Sequence, residues 1–352
     1  MTGVQTCAPP IFLFINTFGA VATEYKFFGM SQAWLTYVQT TKAESHPGSP
    51  AENWGIRLRR SIIGIKAVMD EVFSYSFHLE FAYKDSPALD IFLNAAIDKY
   101  FNIRLGQFIP ETQTKEGFIV PTELFFYEYS DIALKAASHS GFTALRDVGI
   151  QFSGGDELFR YSAYIGNGTG RFNYNNASQY IKNRKFGDGF YGARLDFFPL
   201  LNLRLGGHFG YNTQDSARLD DKVISYKRSI YSIGFSFHDY LTEGLFGEFE
   251  IAGGKAEDMT KDSSRFDYSG MYSTLGYKIT KELHALCRYE QYSEIPELRK
   301  DIFARKVSLG ISWYYYNENN DLIKLSLNYQ IMNEVPDDIN NNIIALLVQA
   351  KF

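Results

Sequence analysis

Basic side chains at alternating positions are the residues of this chain whose type and spacing could do chemistry. Guanidinium and ammonium groups set along a wall would bind anions reversibly, because each offers fixed donors to phosphate or carboxylate oxygens. The alternative is that these charges solvate a polar wall and pair across neighbouring strands. The residues expected to line a pore and bind anions are Arg57, Arg59, Arg104, Lys115, Arg160, Arg194, Arg204, Lys306 and Lys324.

Signals for other chemistry are weak. Ser138, His139 and Ser140 are adjacent, but neighbours in sequence do not make a catalytic triad, and no acidic partner can be named. The six histidines lack metal-ligand spacing, and Cys7 and Cys287 predict neither a disulfide nor a metal site. The sequence therefore predicts no catalytic residues, no metal and no cofactor. A hydrolase that uses Ser138 or Ser140 is kept as an alternative.

The segments that must position the basic residues alternate with a period of two, as β-strands do. From Phe73 to Tyr83, aromatic and aliphatic side chains occupy every second position, and polar side chains lie between them. The segment from Ile323 to Ile331 repeats this pattern, with Lys324 on its polar face. About sixteen such segments follow one another without a domain boundary. Their approximate spans are 24–40, 55–69, 72–84, 89–100, 101–109, 146–154, 157–167, 186–198, 200–213, 222–237, 241–255, 265–278, 281–293, 301–316, 321–333 and 341–352.

The connections between these segments alternate in length, which is typical of outer-membrane barrels. Composition agrees, because 25 Tyr, 30 Phe and 29 Gly with only 10 Pro suit twisted strands and aromatic girdles. We predict an all-β fold, a single transmembrane antiparallel β-barrel of about 16 strands over residues 23–352. Longer connections are expected at 41–54, 110–145, 168–185, 214–221 and 256–264.

Irregular regions qualify this pattern. The alternation of apolar and polar residues is lost midway through Glu24 to Thr40 and through Ile56 to Met69, which a β-bulge or inward-facing apolar residues would explain. The longest connection, Pro110 to Leu145 after the fifth strand, is expected to fold inward and narrow the channel; an outer surface loop is the alternative. Within it, Leu124 to Tyr129 and Asp131 to Ala137 could be helical. Its charges are mostly acidic, so a strongly anion-selective constriction does not follow from this loop.

The ends of the chain carry their own signals. Asn341 to Phe352 has one apolar face that finishes on Phe352, which predicts a closing strand and a signal for barrel assembly. Ile11 to Gly19 is apolar and Ala20 to Ala22 offers a small-residue cleavage site, so residues 1–22 are expected to be a signal peptide. Residues 1–10 lack a positive charge and resemble translated sequencing-adapter sequence, which favours an artefactual start; an unusual but genuine N-terminus is the alternative.

Several motifs carry a family resemblance. Leu58-Arg59-Arg60, Ile103 to Pro110 (IRLGQFIP), Arg146 to Gly154 (RDVGIQFSG) and Tyr164 to Gly168 (YIGNG) stand in an order and spacing that resemble the phosphate-selective porin O and P family. The resemblance covers most of residues 24–352. It implies a sixteen-stranded porin, commonly trimeric, that passes small solutes. The basic ladder of that family cannot be mapped residue by residue onto this chain.

The main functional hypothesis is a passive diffusion channel of the bacterial outer membrane, for small hydrophilic solutes or anions such as phosphate. The partners expected are membrane lipid, the barrel-assembly machinery, the solutes and a homotrimer. A net charge of −5 with scattered basic residues does not suggest nucleic acid. A plugged structural or adhesion barrel is the second hypothesis, and the hydrolase is the third.

Overall fold

The computed structural model describes residues 24–40, 52–82, 88–142, 145–170, 187–219, 222–240, 242–258, 264–296, 302–317, 320–335 and 339–352. The predicted signal peptide, residues 1–22, lies outside the described residues. The strands are β1 (Glu24–Thr40), β2 (Glu52–Val68), β3 (Phe73–Glu80), β4 (Ala88–Asp98), β5 (Phe101–Phe108), β6 (Asp147–Gly155), β7 (Phe159–Gly166), β8 (Gly189–Leu200), β9 (Leu203–Leu219), β10 (Lys222–His238), β11 (Leu245–Asp258), β12 (Ser264–Lys278), β13 (Leu283–Pro296), β14 (Ile302–Asn317), β15 (Asn320–Val335) and β16 (Ile339–Lys351). The helices are α1 (Lys115–Phe118), a 3-10 turn (Pro121–Glu123) and α2 (Asp131–His139). Among the described helices, none has the length and apolarity needed to cross a membrane.

The sixteen strands form one closed antiparallel barrel. Each strand pairs with its neighbours in sequence, and β1 pairs with β16, from Met30 opposite Lys351 to Thr40 opposite Asn341. Beyond that ladder, the backbones of Gly29 and Phe352 exchange two hydrogen bonds of 3.0 and 3.1 Å. Closure satisfies the backbone groups that an open edge would leave unpaired in lipid. The predicted fold class and strand number are confirmed.

The two faces of the barrel wall are inverted relative to a water-soluble protein. On β15, Leu327 points outward and is 53 % exposed, whereas Ser326 and Asn328 beside it are 0 % and 1 % exposed and point inward. Polar side chains are normally found outside a protein and apolar ones inside. An apolar outer band around a polar interior is the arrangement of an outer-membrane barrel. Cys287 is exposed on this outer face, as expected of a small apolar side chain that meets lipid.

The barrel has a short-turn end and a long-loop end. At the short-turn end, strands are joined by the turns 69–72, 99–100, 156–158 and 201–202. At the long-loop end, the longest connection is 109–146. The expected long connection at 214–221 is wrong, because β9 and β10 continue to residues 219 and 222. Alternation fades there because a strand that extends beyond the lipid needs no apolar face.

A β-bulge interrupts the pairing of β1 with β2, as the lost parity of this segment predicts. Gln32 lies opposite Arg60 and Ala33 lies opposite Leu58, so Arg59 is the extra residue of β2. A bulge changes the direction of the side chains around it. Here Arg59 and Arg60 both reach the interior, which two successive residues of a regular strand do not do.

The contact between Gly29 and Phe352 can be tested by adding one methyl group. A Cβ at Gly29 would lie 2.5 Å from the Phe352 ring and 2.9 Å from the Ile62 carbonyl oxygen, closer than packed atoms allow. We expect Gly29→Ala to lower the stability of the folded barrel by about 1–3 kcal/mol, the usual cost of overpacking. Thermal loss of the barrel, followed by circular dichroism in detergent, measures this. Gly55→Ala is the control, because its Cβ would meet no atom within 4 Å; equal melting of the two variants would contradict the prediction.

Candidate functional site in the barrel interior

The inner loop, residues 109–142, leaves β5 at the long-loop end and folds back into the barrel. The Thr114 side chain accepts a hydrogen bond of 3.2 Å from the Gly117 amide at the start of α1, and Ser130 accepts one of 3.4 Å from Ala133 at the start of α2. Such caps satisfy amides that the first helical turn leaves free. The helix expected at 131–137 is confirmed. The one expected at 124–129 is wrong, because the aromatic side chains of that segment face different walls.

Apolar side chains of the inner loop pack against the wall in three directions. The buried Ile132 of α2 belongs to a cluster with inner side chains of β10 to β13. Phe126 packs with residues of β11 and β13, and Tyr127 meets Trp34 of β1 edge to face at 4.9 Å. Aromatic rings contribute large contact areas at such junctions. The loop therefore folds inward, as expected, and reaches opposite sides of the interior.

The bulge in β2 builds the first ionic anchor of this loop. Arg59 and Arg60 approach the two oxygens of Glu128 at 2.8 and 2.9 Å. Burial raises the pKa of the Glu128 carboxyl, but the charges and hydrogen bonds of Arg60 and Arg59 outweigh burial and hold that pKa below its ordinary value. Glu128 is therefore a carboxylate at neutral pH, and it ties the loop to β2.

Two further carboxylates of the inner loop bind cations on the opposite wall. Glu116 meets Arg288 of β13 at 2.6 Å, and the two side chains are 1 % and 2 % exposed. Asp131 meets Lys306 of β14 at 2.7 Å. An ion pair removed from water stabilises only when its geometry is good, but losing one partner leaves an uncompensated buried charge. These pairs therefore fix where the loop lies.

Backbone groups of the inner loop and the ammonium group of Lys115 also bind the barrel wall. The Lys115 ammonium binds Glu248 at 2.6 Å, while the Lys115 amide donates to Glu250 of the same strand, β11, at 2.8 and 3.0 Å. Lys324 donates to the carbonyl oxygens of residues 124 and 125 at 2.6 and 2.9 Å. Arg194 donates to the Gln113 carbonyl at 2.6 Å. Contacts on β8, β11 and β15 thus complete the attachment.

The predicted basic residues fall into two groups. One group pairs with carboxylates or loop carbonyls: Arg59, Lys115, Arg194, Arg204, Lys306 and Lys324. The others contact no carboxylate among the described residues and stack on aromatic rings: Arg57 on Trp34 at 4.5 Å, Arg104 on Phe92 at 4.9 Å and Arg160 on Phe198 at 5.0 Å. Binding of solute by any of these residues stays a prediction.

Sequence reasoning missed Arg60 and Arg288, which are among the most buried charges of the interior. Arg60 follows the bulge, so simple alternation from Arg57 and Arg59 assigns it to the outer face. The same alternation could have predicted that Arg288 faces the interior, because its neighbour Cys287 is expected to face lipid. Its partner Glu116 could not be found this way, because the path of a loop has no periodicity.

Two of the cavities in the described part of the barrel lie on either side of the inner loop, and both have linings of polar and apolar residues. The short-turn cavity has a volume of about 500 Å³, and the long-loop cavity on the other side of the loop has a volume of about 270 Å³. Charged residues around the first are Lys99, Glu111, Lys115, Arg160, Asp196 and Arg204. Those around the second are Arg57, Glu128, Asp131, Arg288, Glu290 and Lys306.

Of the two serines considered for a hydrolase, Ser140 is not arranged as a nucleophile. The Ser140 hydroxyl is buried and donates to the Ala136 carbonyl at 2.9 Å. His139 directs Nε2 to Tyr292 and Glu294, at 2.9 and 3.2 Å. A serine nucleophile needs its hydroxyl hydrogen-bonded to the general base. Within the described residues, no three His, Cys, Asp or Glu side chains are grouped to hold a metal.

The pair of Glu116 with Arg288 predicts how firmly the loop is held. Glu116→Gln leaves Arg288 buried without a charge partner, and we expect the loop to dock less stably by about 3–5 kcal/mol. Hydrogen exchange of amides in residues 110–142 should then be much faster than in the parent protein. Thermal unfolding of the barrel itself should change less, since the strand ladder does not include Glu116.

Two further variants test whether the effect on the loop comes from this buried ion pair. Glu24→Gln breaks an ion pair with Lys26 whose side chains are 57 % and 58 % exposed, and exchange in the loop should not change. Adding Arg288→Met to Glu116→Gln removes the unpaired buried charge, so the loop amides should regain much of their protection from hydrogen exchange. Unchanged loop exchange in Glu116→Gln alone would show that this pair does not anchor the loop.

Solved structures of outer-membrane proteins share this fold. A loop-deletion form of OmpT, an outer membrane protein of Vibrio cholerae, superposes with a TM-score of 0.66 at 12 % identity, covering 94 % of this chain and 99 % of that one. The anion-selective porin from Comamonas acidovorans gives 0.65 at 10 % identity, with the same coverage. The outer membrane channel DcaP of Acinetobacter baumannii gives 0.64 at 9 %, covering 94 % and 97 %. No family model and no curated protein matches the sequence. The likenesses therefore identify the fold, that of bacterial outer-membrane β-barrels.

Proposed function

We propose that this protein is a porin, a passive channel for small hydrophilic solutes across the bacterial outer membrane. The observation that carries the proposal is a closed barrel with an apolar exterior and a charged interior, in which an inserted loop separates two cavities. Strands, turns and loop supply a fixed route, and the solute moves down its gradient with no chemical step. Solved barrels of this fold include proteins described as a porin and a channel.

The charges of the short-turn cavity favour anions among these solutes. Among the charged residues that line it, Lys115 is paired with Glu248 and Arg204 is paired with Asp196, so Lys99 and Arg160 remain against the single acid Glu111. Arg160 is exposed and stacks on an aromatic ring, so its planar N–H groups are available to oxygens of phosphate or carboxylate. Phosphate is one such anion, in keeping with the resemblance to the phosphate-selective porin O and P family. Membership of that family belongs to this proposal.

The partners follow from the barrel. Its apolar outer face requires membrane lipid, and Phe352 at the closing strand is proposed as the signal that the barrel-assembly machinery reads. OmpT of Vibrio cholerae also has a trimer form, and a homotrimer is part of our proposal for this chain. A trimer would cover part of the apolar wall and leave the interior of each barrel separate.

A non-conducting barrel is the second candidate, and one observation favours it. The inner loop is attached to β2, β8, β11, β13, β14 and β15, so it crosses the interior rather than lining one side. A loop held on all sides could plug the channel. For the hydrolase, the hydroxyl of Ser140 is engaged with a backbone carbonyl, and His139 directs Nε2 to Tyr292 and Glu294 rather than to a serine.

Deleting residues 116–140 separates the two candidates. The refolded parent and the deletion variant are compared by single-channel recording in a planar bilayer. A constricting loop predicts that the parent conducts and that the deletion variant conducts several-fold more. A plug predicts current only after the deletion. Equal conductance of the two would contradict both roles of the loop, and circular dichroism confirms that each barrel has folded.

The proposed preference for anions depends on Arg160. Under a salt gradient, we expect the reversal potential of the parent channel to indicate selectivity for chloride over potassium. Arg160→Gln should shift it towards neutrality, because an exposed positive charge is lost from the wall. Lys278→Gln is the control, since Lys278 lies at the rim in an exposed pair with Asp239 at 3.5 Å. A parent channel that prefers potassium would refute the anion preference while leaving the porin proposal intact.

A further inference from the structure

The long-loop cavity contains apolar side chains that a water-filled channel does not need. Leu134 of α2 is 37 % exposed within it, and Met332 and Ile343 line it with partly exposed side chains. The inner face of β16 is unusual here, because Ile343, Ala345 and Leu347 replace the polar residues found at inner positions of β15. Exposed apolar surface beside polar groups marks sites that bind ligands.

One cation of this cavity has no carboxylate partner among the described residues. Arg288 is paired with Glu116 and Lys306 is paired with Asp131 and Glu290. Arg57 is exposed, and its guanidinium carbon lies 4.5 Å from the centre of the Trp34 ring. Stacking holds a guanidinium in place while leaving its N–H groups free to donate.

The Trp34 ring supplies a second, independent sign of a ligand. Its Nε1 is buried and has no hydrogen-bond partner in the described part of the chain, and the residue is only 2 % exposed. A buried donor without an acceptor is unfavourable, so such groups usually meet one. Trp34 and Arg57 line the same cavity, so a carboxylate held by Arg57 would lie near a ring whose N–H lacks an acceptor.

We propose that the long-loop cavity is a binding site for small carboxylates that carry an apolar or aromatic body. The carboxylate binds Arg57, with the Trp34 indole N–H as a further donor, and the body packs on Leu134, Met332 and Ile343. The volume of about 270 Å³ admits a single-ring acid such as benzoate. Phosphate and acetate offer the oxygens but not the body. This site rests on the proposed channel, through which such a solute would pass.

Binding and current are measured separately, so that the site and the channel can fail independently. Isothermal titration of the refolded protein in detergent uses benzoate, acetate and phosphate as probes. Single-channel recording then follows block of the current by the same three salts, added at each side in turn. We expect benzoate to bind and block at concentrations where acetate and phosphate have little effect, and more readily from the side nearer the long-loop end.

Three variants locate the site, each checked for folding by circular dichroism. Arg57→Gln should weaken benzoate binding by about tenfold or more, the typical effect of losing a charged hydrogen bond. Trp34→Phe keeps a ring beneath Arg57 but removes a donor to the carboxylate, so it should weaken benzoate and acetate alike. Leu134→Asn removes part of the apolar surface that packs on the ring, so it should weaken benzoate and leave acetate unchanged. Lys278→Gln is the control, because Lys278 lies at the short-turn rim in a pair with Asp239 and lines neither cavity, so benzoate binding should not change.

The binding and current measurements can refute the proposed site and the proposed channel separately. Equal binding of benzoate and acetate, or no effect of Arg57→Gln in a folded barrel, would overturn the proposed site. A conducting channel without benzoate binding would refute the site and leave the porin proposal standing. Benzoate binding to a barrel that passes no current would refute the channel and keep the site, as a recognition cavity of a plugged barrel.

Discussion

Closure of the backbone ladder is the constraint on which this structure depends. In lipid, an unpaired amide or carbonyl has no water to bind, so β1 and β16 must meet along their length. Their pairing, from Met30 with Lys351 to Thr40 with Asn341, fixes the register at the seam. With both edges joined, no strand can slip by one residue without exchanging its inner and outer faces. Every inward side chain therefore has a fixed height and direction, which a charged loop can meet.

Given that fixed wall, ionic contacts determine where the inner loop lies. Apolar packing of Ile132 and Phe126 supplies contact area, but such contacts tolerate shifts of position. Glu116, Glu128 and Asp131 each have a cation at 2.6 to 2.9 Å, on three different strands. The energetic gain from each buried pair is offset by loss of hydration, while any other position would leave both charges without partners. We infer that these pairs select one path across the interior.

The sequence predicts the wall far better than the loop. All sixteen strands follow from a two-residue period, because lipid on one side and water on the other act on every residue of a spanning strand. The bulge near Arg59 was also predictable, since a bulge leaves a break in that period. The segment 214–221 was not, because strands beyond the lipid lose the apolar face that reveals them. Contacts such as Glu116 with Arg288, separated by 172 positions, depend on a loop path that no local pattern encodes.

Because many basic residues of the wall hold the loop, the selectivity of the proposed channel would depend on those that do not. A count of positive charges along the strands would assign equal weight to Lys324 and Arg160, yet Lys324 is buried against loop carbonyls and Arg160 is exposed. Arg57 and Arg160 lie at different cavities, one beside apolar side chains and one among further cations. A solute that crosses the barrel would therefore meet a site that distinguishes its body and then one that distinguishes its charge. The loop creates this order, since it occupies the stretch of wall between the two cavities and neutralises the cations there.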